Sequence, residues 1–205
     1  LLVGAITMGF GGVILLALAG RSGIDPWRDR SLRLPLVAGA VAVSIYPLVF
    51  YTAMSMAGVA VGNIIALATG PLVGAVLEWL FDSRPPGSRW WWALLMGVSG
   101  VVVVTASGDS AGTASPSRLG WGIVLAVVAG IAYGGFSYCL ARVMRAGVSS
   151  VAATGAIFGA GSIPLLVVVG FSASSLADLG SSGWGLAYLV AGPMVLSYLL
   201  YGRGL

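Results

Sequence analysis

The 205-residue chain is 59% hydrophobic and 8% charged, with a mean hydropathy of +1.03. A water-soluble domain carries about 25% charge, so a soluble globular protein is excluded. The formal net charge of +4 rests on ten arginines and no lysine. Without lysine there is no retinal Schiff base, and without histidine the usual metal ligand and general base are missing.

Seven long apolar stretches are predicted as membrane-crossing helices, at 3–20, 34–54, 59–81, 90–106, 119–141, 149–171 and 183–202. Each is close to the roughly 17–25 residues that a span requires. The fold class is therefore all-α, a polytopic transmembrane bundle of seven helices. The first gap, residues 21–33, is polar and holds Asp25-Pro26, a turn or helix start. The gap near 55–60 is tight, and the gap at 82–89 carries Pro85 and Pro86, which end a helix. Residues 107–118 form a Ser/Gly/Thr-rich linker of flexible, solvated composition. Of the remaining gaps, 142–149 is short and basic and 171–182 is polar.

If every stretch crosses, the gaps alternate sides. Nine arginines then share one face (Arg21, Arg28, Arg30, Arg33, Arg84, Arg89, Arg142, Arg145 and Arg203), and Arg118 alone lies opposite. Arginines in short loops stay cytoplasmic, so the nine-residue face is expected inside and the 107–118 linker outside. These basic flanks attract anionic headgroups. No basic patch is interleaved with aromatics, so nucleic acid is not an expected partner. Six of the seven tryptophans fall at predicted helix ends, among them Trp90-Trp91-Trp92, as an interfacial belt requires. Small residues recur four apart at Gly70/Gly74, Gly130/Gly134 and Gly155/Gly159, a spacing that lets helix backbones approach closely. The lone Cys139 allows no internal disulfide and is expected to be a packing residue.

The two ends of the chain resemble each other. An offset of about 151 residues pairs Ala53-Met54 with Gly204-Leu205, Phe50 with Tyr201, and stretch 3–20 with 149–171. Equivalent loops lie on opposite sides, the mark of an inverted repeat. The helix end Tyr51-Thr52-Ala53-Met54 is followed by a short turn, then by the small-residue helix with Gly70-Pro71 and by Arg84-Pro85. Gly97-Val98-Ser99-Gly100-Val101, Gly120-Trp121-Gly122, Tyr133 and Arg142 follow in order. The pattern resembles the EamA-like branch of the drug/metabolite transporter superfamily. That resemblance implies ten helices in two inverted repeats of five. This chain would supply helices two to eight as a fragment of a longer protein. Residues 1–106 are then the first repeat without its first helix, 107–118 the linker, and 119–205 the second repeat without its last two helices. Many members carry an acid in a Gly-Glu-Arg-like turn. Here that turn reads Ser83-Arg84-Pro85, with the acids at Glu78 and Asp82 instead.

The candidate solute-binding residues are the hydroxyl and amide groups deep in the spans: Ser44, Tyr46, Tyr51, Asn63, Thr69, Tyr133, Ser137, Tyr138, Ser197, Tyr198 and Tyr201. Tyr46, Asn63, Tyr133 and Tyr198 are expected to point into one shared cavity. Glu78, an ionisable residue within a span, is the candidate for proton coupling, since an intramembrane charge is costly. Its competing role is to reach the surface one turn away. No catalytic constellation, P-loop, metal site or cofactor site is present. The expected function is a non-ATP secondary transporter of small metabolites. It would export amino-acid-like or drug-like solutes by alternating access, in a bacterial plasma membrane, with lipid and solute as partners and a homodimer as one possible assembly. The alternative is a non-transporting membrane subunit or scaffold that binds partner helices through its glycine faces. A lipid-handling membrane enzyme ranks below both for want of catalytic groups.

Overall fold

The computed structural model describes residues 2–83, 85–106, 116–171, 183–198 and 200. Among these there are seven helices and no strand. They are α1 (Leu2–Ala19), α2 (Arg30–Ala57), α3 (Val59–Asp82), α4 (Ser88–Ala106), α5 (Pro116–Arg145), α6 (Ser150–Phe171) and α7 (Gly183–Leu189). The protein is a polytopic helical membrane bundle. Five segments of the described residues are long and apolar enough to cross a bilayer: Leu2–Gly23, Arg30–Ala57, Val59–Asp82, Ser117–Arg145 and Ser150–Phe171. Large apolar side chains stand exposed along them, including Leu34, Leu80 and Phe171, as on a surface that meets hydrocarbon.

Local chemistry sets the ends. Between α1 and α2 run two 3₁₀ turns, Gly20–Gly23 and Asp25–Arg28, the second opened by Pro26. Asp29 caps α2: its Oδ1 accepts the Ser31 amide at 2.8 Å and the Ser31 hydroxyl at 2.7 Å. These two bonds, the hydroxyl's first, hold the carboxyl below its ordinary 3.8. A tight turn at Gly58, where φ is +87°, reverses α2 into α3; only glycine enters this region without strain. Ser83 ends α3 in the left-handed conformation, its amide bonded to the Glu78 carbonyl. Beyond α7 the helix widens to a π-helical stretch over Val190–Leu196, around Pro193. Proline has no N–H to offer the regular ladder, and π-bulges absorb such gaps.

The described contacts divide the chain into two units, residues 1–47 with 139–205, and residues 48–138. Helices α2 and α5 contribute to both.

In the first unit, α1 packs along α6. A methyl group placed on Gly12 would collide with the Phe158 carbonyl oxygen, and one on Gly155 would stand 2.5 Å from Ala19 Cβ. Gly9 faces Leu165 and Leu166, and Gly159 faces Leu16, so residue numbers rise on one helix as they fall on the other. The two helices are antiparallel. On another face of α6, Gly39 of α2 lies against Ile157, and Val43 lies against Gly161. Numbers rise together here, so α2 and α6 are parallel. Phe158, Ile157, Leu165, Leu15, Leu36 and Val43 form the fully buried core of this unit.

In the second unit the close seam is α3 with α5. Gly130 lies against Thr69 and the Ala66 carbonyl, and Gly134 against the Gly70 carbonyl and Val73. These helices run parallel. Lipid offers no hydrophobic drive for helices to associate, so such backbone approach and its van der Waals contacts hold the seam. Two of the three glycine pairs read from the sequence, Gly130/Gly134 and Gly155/Gly159, meet neighbouring helices at both residues. In the third pair, Gly70 lies in the seam beneath the Tyr133 ring.

These directions test the order of crossings. Helices five apart (α1, α6) are antiparallel; helices four apart (α2, α6) and two apart (α3, α5) are parallel. A chain that crosses at every helix produces this parity. In particular, α4 has to cross back between α3 and α5. Its 19 residues reach about 28 Å at 1.5 Å per residue, close to the ~30 Å hydrocarbon thickness.

Candidate functional site

The candidate polar residues fall into both units. Ser44, Tyr46, Ser197 and Tyr198 belong to the first. Tyr51, Asn63, Thr69, Glu78, Tyr133, Ser137 and Tyr138 belong to the second. Tyr201 lies outside the described residues, as does Arg84.

In the first unit α6 is the organising element. The Ser44 hydroxyl donates to the Ala40 carbonyl of its own helix at 2.8 Å and lies 3.0 Å from the Gly161 carbonyl of α6. The Gly161 position has no side chain, which opens this approach. One turn away on α6, Phe158 meets the Tyr198 ring at 4.4 Å between centroids. Ser44 and Tyr198 thus reach neighbouring positions on one helix. The Ser197 hydroxyl bonds the Pro193 carbonyl, an acceptor passed over by the Ser197 amide, which donates to the Gly192 and Met194 carbonyls at the end of the π-helical stretch.

In the second unit the candidates collect along the α3–α5 seam. Thr69 presses on Gly130 while its hydroxyl donates to the Ile65 carbonyl at 2.7 Å. The Tyr133 ring covers Gly70 and stands edge-on to Phe136 at 5.3 Å. One turn on, the Ser137 hydroxyl is buried without a hydrogen-bond partner among the described residues. Next, Tyr138 donates its hydroxyl to Asp82 Oδ1 at 3.4 Å, a long bond, with its ring beside Phe81 at 6.2 Å. Glu78 is half-buried one turn before Asp82. Asn63, also half-buried, makes no hydrogen bond to the described residues. Tyr51 stands edge-on to Phe50.

Sequence reasoning missed the buried hydroxyls of α6. Ser162 bonds the Gly159 carbonyl at 2.6 Å, whereas Thr154, wholly buried, has no partner among the described residues. Only the interruption of an Ala/Gly run by a hydroxyl signals them. The Tyr138–Asp82 pairing, 56 residues apart, has no local signal.

No group of three or more His, Cys, Asp or Glu suited to a metal occurs among the described residues. The sites that exist are hydroxyl, amide and aromatic. The sequence model of the EamA-like transporter family matches residues 1–106, just over half of the chain. The chain belongs to the EamA-like transporter family. It is also similar to a Bacillus subtilis (strain 168) protein described as the uncharacterized transporter YwfM, 27% identical over 147 residues. That alignment covers 69% of this chain and 48% of the relative, so the chain spans about half the length of the curated relative it matches. No solved structure matches. This chain thus belongs to a family of membrane transporters, and its several apolar helices make it a multi-pass membrane protein.

Proposed function

We propose that this chain is the central part of a secondary, non-ATP carrier that exports amino-acid-like or drug-like metabolites across a bacterial plasma membrane. Solute binds near mid-membrane between two inverted repeats, which rock around it in alternating access. The observation that carries this reading is a pair of equivalent contacts. Val43 of α2 packs on Gly161 of α6, and Met194, its equivalent at the 151-residue offset, packs on Gly11 of α1. Gly161 maps to position 10 at the same offset, so the two contacts correspond to within one residue. The antiparallel α1–α6 approach at Gly12 and Ser162 also falls where the repeat meets its own image. A two-fold axis in the membrane plane requires both features.

The glycine faces on which a scaffold reading depends are largely occupied by helices of the same chain, which favours the carrier. Asn63 and the tyrosines Tyr46, Tyr133 and Tyr198 are assigned to solute, and Glu78 is assigned to the cytoplasmic surface. The test is solute flux by the full-length protein in proteoliposomes. Asn63→Leu should lower flux and weaken solute binding by about 0.5–1.5 kcal/mol per lost hydrogen bond, with unchanged membrane expression. Glu78→Gln should have the smaller effect. If Glu78→Gln abolishes flux and Asn63→Leu leaves it intact, proton coupling through Glu78 replaces this site.

A further inference from the structure

Away from the polar seam, α3 and α4 enclose a slot of about 250 Å³ whose lining includes Pro71, Leu72, Trp90, Ala93, Leu94 and Gly97. Its emptiness has an independent sign: a methyl group added to Gly97 would meet nothing within 4 Å. Val98, also in the lining, is 45% exposed, so the slot opens sideways, toward the bilayer. Apart from the Trp90 indole N–H, no lining side chain can hydrogen-bond. The slot therefore has no means of recognising a polar solute, and apolar cavities do not retain water.

The slot also has a polar mouth. Arg89 precedes Ala93 by four residues, which places both on one face of α4 with the arginine a turn nearer the helix start. Arg89 makes no ion pair or hydrogen bond among the described residues. Trp90 stacks edge-on to Trp91 at 5.1 Å, and Trp91 and Trp92 are exposed. Such indoles lie at headgroup level. From Trp90 to Val98 the slot then runs about 12 Å into the hydrocarbon, at 1.5 Å per residue.

A helix is about 10 Å across and does not enter a slot of this volume; a single file of methylenes does. We propose that the α3–α4 slot holds one acyl chain of an anionic phospholipid whose phosphate is bound by Arg89. The guanidinium presents a planar fork of donors matched to phosphate oxygens. The site is independent of the solute-binding residues and stands whether or not their assignment holds.

The test is native mass spectrometry of the full-length protein through stepwise delipidation. The probes are phosphatidylglycerol, phosphatidylethanolamine and inorganic phosphate. Phosphatidylglycerol should persist longest. Arg89→Gln should weaken its retention roughly fivefold, the share of one cationic side chain at an anionic surface. Gly97→Leu, which fills the slot, should release both lipids, and inorganic phosphate should not displace them. Equal retention by the parent and both variants, or displacement by inorganic phosphate alone, overturns the proposal. If Gly97→Leu does not fold, equimolar brominated phosphatidylglycerol decides. Its quenching of tryptophan fluorescence should fall in Trp90→Phe and not in Trp184→Phe; equal quenching in the two variants overturns the proposal.

Discussion

Helices α6 and α4 have similar apolar sequences and very different surroundings. Twelve of the 22 residues of α6 are buried, whereas none of the described side chains of α4 is. The cause is the arrangement of small residues. Gly155 and Gly159 admit α1 on one side of α6, and Gly161 admits α2 on another. On α4, Gly97 and Gly100 face open space, and tryptophan and valine occupy much of the remainder. Hydropathy therefore marks a crossing, and only glycines met by a neighbour mark a packed face.

The strongest way to break this contrast is to enlarge one glycine on each helix. Gly155→Leu drives a side chain into Ala19 Cβ and the Leu15 carbonyl, 2.5 and 2.9 Å from the added carbon. Overpacking of this kind should cost about 1–3 kcal/mol or more in thermal unfolding followed in detergent. Gly100→Leu should stay within about 0.5 kcal/mol of the parent, as a substitution at an open surface does. Equal losses would mean that α4 is as tightly packed as α6.

Two hydroxyls sharpen the account of α6 with opposite signs. Ser44→Ala removes the hydroxyl placed between the Ala40 and Gly161 carbonyls and should destabilise by about 0.5–1.5 kcal/mol. Thr154→Val removes a buried hydroxyl without a partner and keeps its shape. Stability should rise, by at most about 1–3 kcal/mol, in the same unfolding assay. A loss on Thr154→Val would reveal a bound water or solute group at that hydroxyl.

The smallest effect is expected outside the spans, at the Asp29 cap. Because its carboxyl is held below the ordinary range in the folded state, its stabilisation is full above the unfolded value. It is lost as pH falls through the lower folded value. Hydrogen exchange at residues 31–33 should therefore quicken on acidification below about pH 4, and Asp29→Ala should remove that pH dependence.

Much of the fold was legible in the sequence because lipid imposes strong rules. Apolar length located the helices, with ends off by a few residues. Helix α2 begins at Arg30 rather than 34, and α5 runs from Pro116 to Arg145 rather than over 119–141. These helices continue into the interface, where polar residues no longer register as a span. The glycine pairs announced packed seams. Partners were not legible: nothing near Ser44 names Gly161, and nothing near Tyr138 names Asp82. Nor does a sequence tell which hydroxyls their own helix engages, as with Thr69 and Ser197, and which stay without a partner, as with Ser137. A hydroxyl in a helix chooses between its own carbonyls and its neighbours, and that choice depends on packing between segments far apart in the chain.

In the proposed carrier, two repeats of opposite orientation pack together, with the arginine-rich loops in the cytoplasm. Positions 22 and 173 are equivalent at the 151-residue offset; in the sequence the first follows α1 and the second follows α6. In a Cys139→Ser background, Ser22→Cys and Ala173→Cys can each be exposed to a membrane-impermeant maleimide on intact cells. Position 173 should be labelled from outside, and position 22 only after the membrane is opened. Labelling of both from the same side would contradict the inverted repeat, and labelling of position 22 alone from outside would reverse the orientation.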